Sequence, residues 1–218
     1  MKKTNEKNTP NVTELVFILD SSGSMSTLRD DTIGGFNTML EKQRDTEGKC
    51  YVSTVMFADD SKVVHDRRPL EEVPELTRKD YEPMGCTALY DAVGSAIRHI
   101  ANIHKYARKE DIPDKTLFVI TTDGMENASH IFTAKEVKRL ISKEQEKYGW
   151  EFIFLGANID AAAAAADIGI SEERAVNYKA SKSGTAKLFR AVGSAVTMNR
   201  CAPCMDMSWR EELDKDNE

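Results

Sequence analysis

The chain has 218 residues, 40% of them hydrophobic, which is enough for one domain with a substantial buried core. Its 36 acidic and 30 basic side chains leave a formal net charge of -6, which opposes the pull of a phosphate backbone and makes nucleic acid an unexpected partner. Four cysteines, Cys50, Cys86, Cys201 and Cys204, make no disulfide framework for a chain this long, so a reducing cytoplasm is the expected compartment.

Residues 1–11 read as a polar N-terminal tail. Lys2 and Lys3 lead into no apolar stretch before Val12, so a secretory signal is not expected. The longest apolar runs, such as Leu15 to Leu19 and Leu117 to Ile120, fall far short of the roughly 20 residues that cross a bilayer, and no membrane partner is expected. A single domain is expected over residues 12–200.

That domain opens with Glu14 to Asp20, a short apolar run with the character of a strand buried on both faces and ending on an aspartate. After a loop over Ser21 to Ser26, Ile33, Phe36, Met39 and Leu40 fall at helical spacing between Arg29 and Arg44. Gly34 and Gly35 each weaken that helix by about 1 kcal/mol, a cost that close packing on the sheet would explain. Cys50 to Phe57 and Ser61 to Pro69 are β-rich runs joined only by Ala58, Asp59 and Asp60, too short a link for anything but an antiparallel hairpin. Asp59 and Asp60 read as turn residues.

A loop from Leu70 to Thr87 precedes a helix over Ala88 to Lys105, whose apolar face runs through Leu89, Ala92, Val93, Ala96, Ile97, Ile100 and Ile103. Lys115 to Thr121 and Trp150 to Ala157 read as further strands, with an amphipathic helix over Thr133 to Tyr148 between them. Ala161 to Ala166 read as a tightly packed helix, Arg174 to Tyr178 as a short final strand and Thr185 to Asn199 as a closing helix. Residues 201–218 have little to bury and end in acidic residues, so a mobile C-terminal tail is expected. Strands interleaved with helices imply an α/β fold: a doubly wound, three-layer, mostly parallel sheet with one antiparallel edge strand. Its ligand crevice would lie beyond the carboxyl ends of the strands.

Three separated segments put small oxygen ligands at that edge: Asp20-Ser21-Ser22-Gly23-Ser24, Gly85-Cys86-Thr87 and Thr121-Thr122-Asp123-Gly124. A hard cation such as Mg2+ takes oxygen ligands in an octahedron and gives up its waters reluctantly, which suits a mixture of hydroxyls, carboxylates and water. If Ser22, Ser24 and Thr87 supply neutral oxygens and an aspartate acts through water, the ion's charge is only partly quenched. A partner carboxylate then gains more there than from a surface ion pair, worth about 0–1 kcal/mol. Singly, each segment has another explanation: the serines or Thr87 as helix caps, and TTDG as a turn. Their order and register together favour the metal.

The pattern DxSxS, then a lone threonine, then a lone aspartate resembles the metal ion-dependent adhesion site of von Willebrand factor type A domains, integrin I domains among them. The likeness runs from Val12 to Asn199 and includes the antiparallel edge hairpin. It implies that Ser22, Ser24 and Thr87 ligate the ion, that Asp20 and Asp123 bind it directly or through water, and that Gly23 keeps the loop tight. The implied ion is Mg2+, with Mn2+ or Ca2+ as alternatives. The implied function is a non-catalytic module that takes an Asp or Glu of a partner protein. Stand-alone bacterial cytosolic domains of this kind act beside AAA-type ATPases or in stress-response complexes, which are therefore the implied partners.

Two rivals remain open on the sequence. A haloacid dehalogenase-like phosphohydrolase would also use an aspartate at the end of the first strand with Mg2+, but it needs a second carboxylate two residues on, where this chain has Ser22. A scaffold whose metal only ties loops together is the other. No GxxxxGK[ST] or GxGxxG follows the first strand. Cys201 and Cys204 read as an incidental pair, Cys86 as a small buried residue, and His65, His99, His104 and His130 as unconnected. Glu126, Asn127, Ser129 and His130 read as a solvated loop beside the crevice, placed to shape a partner contact.

Overall fold

The structure, a computed structural model, describes residues 11–217. The polar tail expected over 1–11 therefore lies, apart from Asn11, outside the described residues. The apolar runs read from the sequence become β1 (Val12–Asp20), β2 (Lys49–Phe57), β3 (Ser61–Pro69), β4 (Lys115–Thr122), β5 (Glu151–Gly156) and β6 (Ala175–Asn177). They form one six-stranded sheet in the order β3-β2-β1-β4-β5-β6. β3 pairs with β2 antiparallel at one edge, as the three-residue link demands, and the other pairings are parallel.

Side chains alternate across each strand, so β1 feeds two cores at once. Leu15, Phe17 and Leu19 face α1 (Arg29–Arg44) and α5 (Lys182–Cys201), while Val16 and Ile18 face α2 (Leu89–Tyr106) and α3 (Ala134–Tyr148). All five are at most 1% exposed, which makes β1 the axis of the molecule. α4 (Ala161–Asp167) begins at Asp160, whose carboxylate accepts from the Ala163 amide at 3.0 Å. It packs one face tightly, with Ala161 and Ala165 fully buried.

The chain winds outward from β1 through β2 to β3, then returns to the far side of β1 and winds the other way through β4, β5 and β6. That reversal between β1 and β4 is the topological switch point, where the loops leaving two neighbouring strands part to opposite faces and leave a crevice. The register sets Leu19 beside Thr121, so Asp20 and Thr122 finish their strands side by side.

Two expectations need correction. Gly35 does allow a close approach, but to α5 rather than to the sheet: a Cβ there would stand 2.3 Å from Phe189 Cδ2, while Gly34 faces open space. The segment from Cys201 also has more to bury than its charge suggests. Met205, Trp209 and Leu213 join the core on the α1–α5 side, and α6 (Glu211–Asn217) closes over it. Arg174 donates to the Met205 carbonyl at 2.7 Å, and Arg210 holds both Asp214 and the Glu172 carbonyl, so the acidic residues form a solvated outer face over an apolar inner one. Among the described residues no helix is long and apolar enough to cross a membrane.

Trp209 is 2% exposed. Trp209→Ala should therefore cost about 3–5 kcal/mol in urea unfolding, as truncation of a buried aromatic does. An unchanged midpoint would show that the C-terminal segment does not pack as described.

Candidate metal centre

Backbone hydrogen bonds bring three loops together before any side chain is considered. Ser21 extends the β1–β2 pairing by donating its amide to the Phe57 carbonyl at 2.7 Å. The Ser22 amide then donates back to Asp20 Oδ1 at 2.7 Å, which turns the chain, and a 3-10 turn over Gly23–Leu28 follows. The loop before α2 is laced to this turn at two points: Gly23 N to Gly85 O at 3.1 Å, and Met84 N to Ser21 O at 2.9 Å. Gly85 has φ +72°, and a Cβ on it would strike the Asp59 carboxylate at 2.0 Å, so glycine is required there.

The same loop is bound on its other side to the loop after β4. Thr87 N donates to Asn127 Oδ1 at 2.9 Å, and Asn127 N returns a bond to Thr87 O at 3.1 Å. Glu126 accepts from the amides of Tyr90, Ala128 and Ser129, and Asp91 in the first turn of α2 accepts from the amides of His130, Ile131 and Phe132. Glu126, Asn127 and Ser129, read as part of a solvated loop, thus also brace it from within, while Asn127 and His130 remain exposed. Thr87 approaches the β4 loop closely, since a Cβ on Gly124 would lie 3.4 Å from its Oγ1.

Inside this frame Ser22, Ser24 and Asp123 meet, and Asp20 lies beside them against Thr122. Ser22 Oγ lies 3.1 Å from Ser24 Oγ, and Ser24 Oγ donates to Asp123 Oδ1 at 2.6 Å. Asp20 Oδ2 accepts from Thr122 Oγ1 at 2.6 Å. Asp20, Ser22, Thr87 and Asp123 are all buried, and Ser24 and Gly23 form the exposed mouth. The capping explanation fails for both segments: Ser22 precedes the 3-10 turn and Ala88 precedes α2, and neither position carries a side-chain cap hydrogen bond. The turn explanation of TTDG holds only for Thr122, whose hydroxyl accepts from the Gly124 amide at 3.2 Å.

Electrostatics favour a cation. Asp20 and Asp123 are 1% and 5% exposed and neither is ion-paired with a lysine, arginine or histidine among the described residues. Burial pushes the Asp20 carboxyl above its ordinary value of 3.8, against hydrogen bonds from Ser22 and Thr122 that lower it, with the Asp123 charge adding a smaller upward push. Isolated buried carboxylates are costly unless neutralised or coordinated to a metal. Cis oxygens of a Mg2+ octahedron with bonds near 2.0–2.1 Å lie about 2.9 Å apart, and the 2.6 and 3.1 Å contacts among Ser22, Ser24 and Asp123 bracket that spacing. Among the described residues no group of three or more His, Cys, Asp or Glu is placed to hold a metal, and the oxygens gathered here are two carboxylates with serine hydroxyls. The residues present fit a small hard ion.

Several supporting groups escaped the sequence reading. Tyr81, fully buried, donates its hydroxyl to the Asp20 carbonyl; burial drives its own ionisation well above the ordinary range, with the Asp20 charge assisting. Tyr178, just after β6, is also buried, its ionisation raised by burial and then by Asp123 and Asp20, and its hydroxyl has no hydrogen-bond partner among the described residues. Asp59 is more than a turn residue, because Oδ1 accepts from the Cys86 amide at 3.0 Å. Cys86 is exposed rather than buried, and its hydrogen bond to Asp59 raises its thiol. Cys201 and Cys204 are exposed free thiols, and Cys50 is a buried one, pushed up to about 12. His65, His99 and His104 lie elsewhere, on Thr54, Asp66 and Glu14 respectively, and His130 reaches only Asp91 and the Ala128 carbonyl.

No protein-family model and no curated protein matches this chain. Solved structures do. Proximal thread matrix protein 1 from the mussel byssus, in a structure with a zinc-occupied metal ion-dependent adhesion motif, is 17% identical over 87% of this chain and 46% of its own, with TM-score 0.58. A von Willebrand factor type A protein from Catenulispora acidiphila is 14% identical over 86% and 43%, with TM-score 0.56. The ArnB paralog VWA2 from Sulfolobus acidocaldarius is 14% identical over 86% and 44%, with TM-score 0.51. The chain spans under half the length of these structures, and the likeness is one of fold.

Because the folded Asp20 carboxyl is raised, its contribution favours the metal-free fold below about pH 3.8 and is lost as pH rises through the folded value. Asp20→Asn removes that burden at neutral pH. In EDTA at pH 7 the variant should unfold at the same urea concentration as the parent or a higher one. A loss above about 1 kcal/mol would mean that the carboxylate's hydrogen bonds outweigh its burial.

Proposed function

Starting from a von Willebrand factor type A-like fold with two unpaired carboxylates buried at its switch point, we propose that this chain is a metal-dependent protein-binding module without catalytic activity. Ser22, Ser24 and Thr87 are the direct ligands, and Asp20 and Asp123 bind the ion directly or through water. Mg2+ is the proposed ion because the donors are all oxygens and mostly neutral; Mn2+ and Ca2+ would be accepted by the same chemistry. The single observation that carries the reading is the Ser22–Ser24–Asp123 chain of contacts, which joins two loops that are 99 residues apart and ends at the exposed mouth.

The chain's own residues explain why the ion would stay receptive. Thr122 and the Ser22 amide hold the Asp20 carboxylate from the protein side, occupying lone pairs that would otherwise neutralise the metal. Ser24 at the mouth is a neutral donor facing solvent. A bound cation supplies an electropositive open position to which a partner's Asp or Glu side chain attaches. The hydrolase alternative gains nothing from the geometry, since Ser22 lies in hydroxyl contact with Ser24 at the place where a general acid would be required.

Three outcomes check this proposal. At a Mg2+ concentration a hundredfold above its dissociation constant, the parent should be stabilised against unfolding by about 2.7 kcal/mol, with EDTA reversing the effect. Thr87→Ala and Asp123→Ala should fold but respond to Mg2+ little or not at all, and an undiminished response in both would refute the ligand assignment. A crystal grown with Mg2+ should show a water or a neighbouring carboxylate at one coordination position; six protein ligands would favour a purely structural ion.

A further inference from the structure

We infer that Tyr178 is a positioning residue of the metal centre, whose hydroxyl donates through a buried water to the Asp123 carboxylate and holds it toward the ion. The inference rests on the metal binding proposed above and extends the site to β6, a strand that carries none of the ligands.

The strand register brings Tyr178 to the crevice. Thr122 pairs with Gly156 and Gly156 with Asn177, so Asp123, Ala157 and Tyr178 form the next row across the upper edge of β4, β5 and β6. Backbone bonds keep that row in line: the Ala157 amide donates to the Thr122 carbonyl and the Tyr178 amide to the Gly156 carbonyl, each at 2.9 Å. Asn177 is fixed in turn, with Nδ2 donating to the Ile159 carbonyl at 2.5 Å and Oδ1 accepting from the Ala161 amide at 3.3 Å. Two strand spacings, about 10 Å in all, separate the backbones at Asp123 and Tyr178. The residue between them is Ala157, fully buried in the same cluster as Tyr178, and its single methyl group leaves room for the ring to lie across β5.

Tyr178 is 3% exposed, yet its hydroxyl meets no hydrogen-bonding group among the described residues. Tyr81, close enough to feel Tyr178, does have a partner in the Asp20 carbonyl. A buried hydroxyl left over in this way is costly, and an ordered water is a common reason for a fold to keep one. The charges acting on the phenol identify the far end of such a bridge. They are those of Asp123 and then Asp20, which act with burial to raise its ionisation above the ordinary value of 10. The hydroxyl therefore keeps its proton and has anions to offer it to.

A donor on this side has a physical use. Ser24 already donates to Asp123 Oδ1 from the mouth of the crevice. A second donor from the core would fix the plane of the carboxylate and, being neutral, would leave its charge for the ion. Hydrogen bonds of this kind orient ligating carboxylates, and the loss of one weakens metal binding by about tenfold or more.

Tyr178→Phe removes the hydroxyl and keeps the ring. Mg2+ titrated calorimetrically into the full chain, at a temperature where parent and variant are both fully folded, should bind the variant about tenfold more weakly. A crystal of the parent grown with Mg2+ should show a water within hydrogen-bonding distance of both Tyr178 Oη and the Asp123 carboxylate. A hydroxyl with only a structural role would move the urea midpoint in EDTA and leave the affinity alone. Equal affinities, or a parent crystal without that water, would overturn the inference and leave the metal-dependent binding standing; should the variant fail to fold, the crystal decides. Absence of Mg2+ binding by the parent would overturn both.

Discussion

Two carboxylates share one crevice without a positive side chain between them, and that unneutralised pair governs the organisation of the upper edge of the sheet. The parallel pairing of β1 with β4 ends both strands side by side, which fixes Asp20 next to Thr122 and puts Asp123 one residue beyond. Holding such charges out of water costs free energy that hydrogen bonds from Ser22, Ser24 and Thr122 offset only in part. A fold that sustains this cost has placed it where the strand order reverses and the loops part.

Rigidity is the complement of that charge. The loops carrying the ligands are fixed by backbone and carboxylate bonds that do not involve the ligands' own oxygens: Met84 to Ser21, Gly23 to Gly85, Thr87 with Asn127, and three amides on Asp91. The hydroxyls of Ser22 and Ser24 are consequently held together, with the Thr87 hydroxyl against the loop that carries Asp123, so ordering them around an ion would cost little further entropy. Tyr81 and Tyr178 support the crevice from the core side, the first through the Asp20 carbonyl and the second as a buried hydroxyl close enough to feel both aspartates.

The fold was readable because apolar strand runs and helical periodicity are local signals: the helix over Arg29–Arg44 and the hairpin joined by Ala58–Asp60 follow from spacing alone. The candidate ligand residues were readable because their order along the chain follows a motif. Tyr81 and Tyr178 left no such mark, since a tyrosine in a loop and another after a short strand look ordinary until tertiary packing brings them beneath Asp20. Glu126 and Asp91 were obscure for a related reason. Their carboxylates face inward onto backbone amides, and composition cannot tell an acid that caps a loop from one that meets water. The C-terminal segment misled in the opposite sense, because Trp209 and Leu213 are sparse enough to be hidden among charges while still making one buried stripe.

The reciprocal bonds between Thr87 and Asn127 also bear on how the molecule would carry a mechanical load. Thr87 leads into α2 and Asn127 follows β4, so tension applied at the crevice would be divided between a long helix and the two central strands. β1 and β4 would be drawn together along their own axes, so the ladders that join them to β2 and β5 would be stressed collectively in shear rather than opened one by one from an edge. The upper rim would thus behave as a stiff anchor whose yielding requires the middle of the sheet to slip.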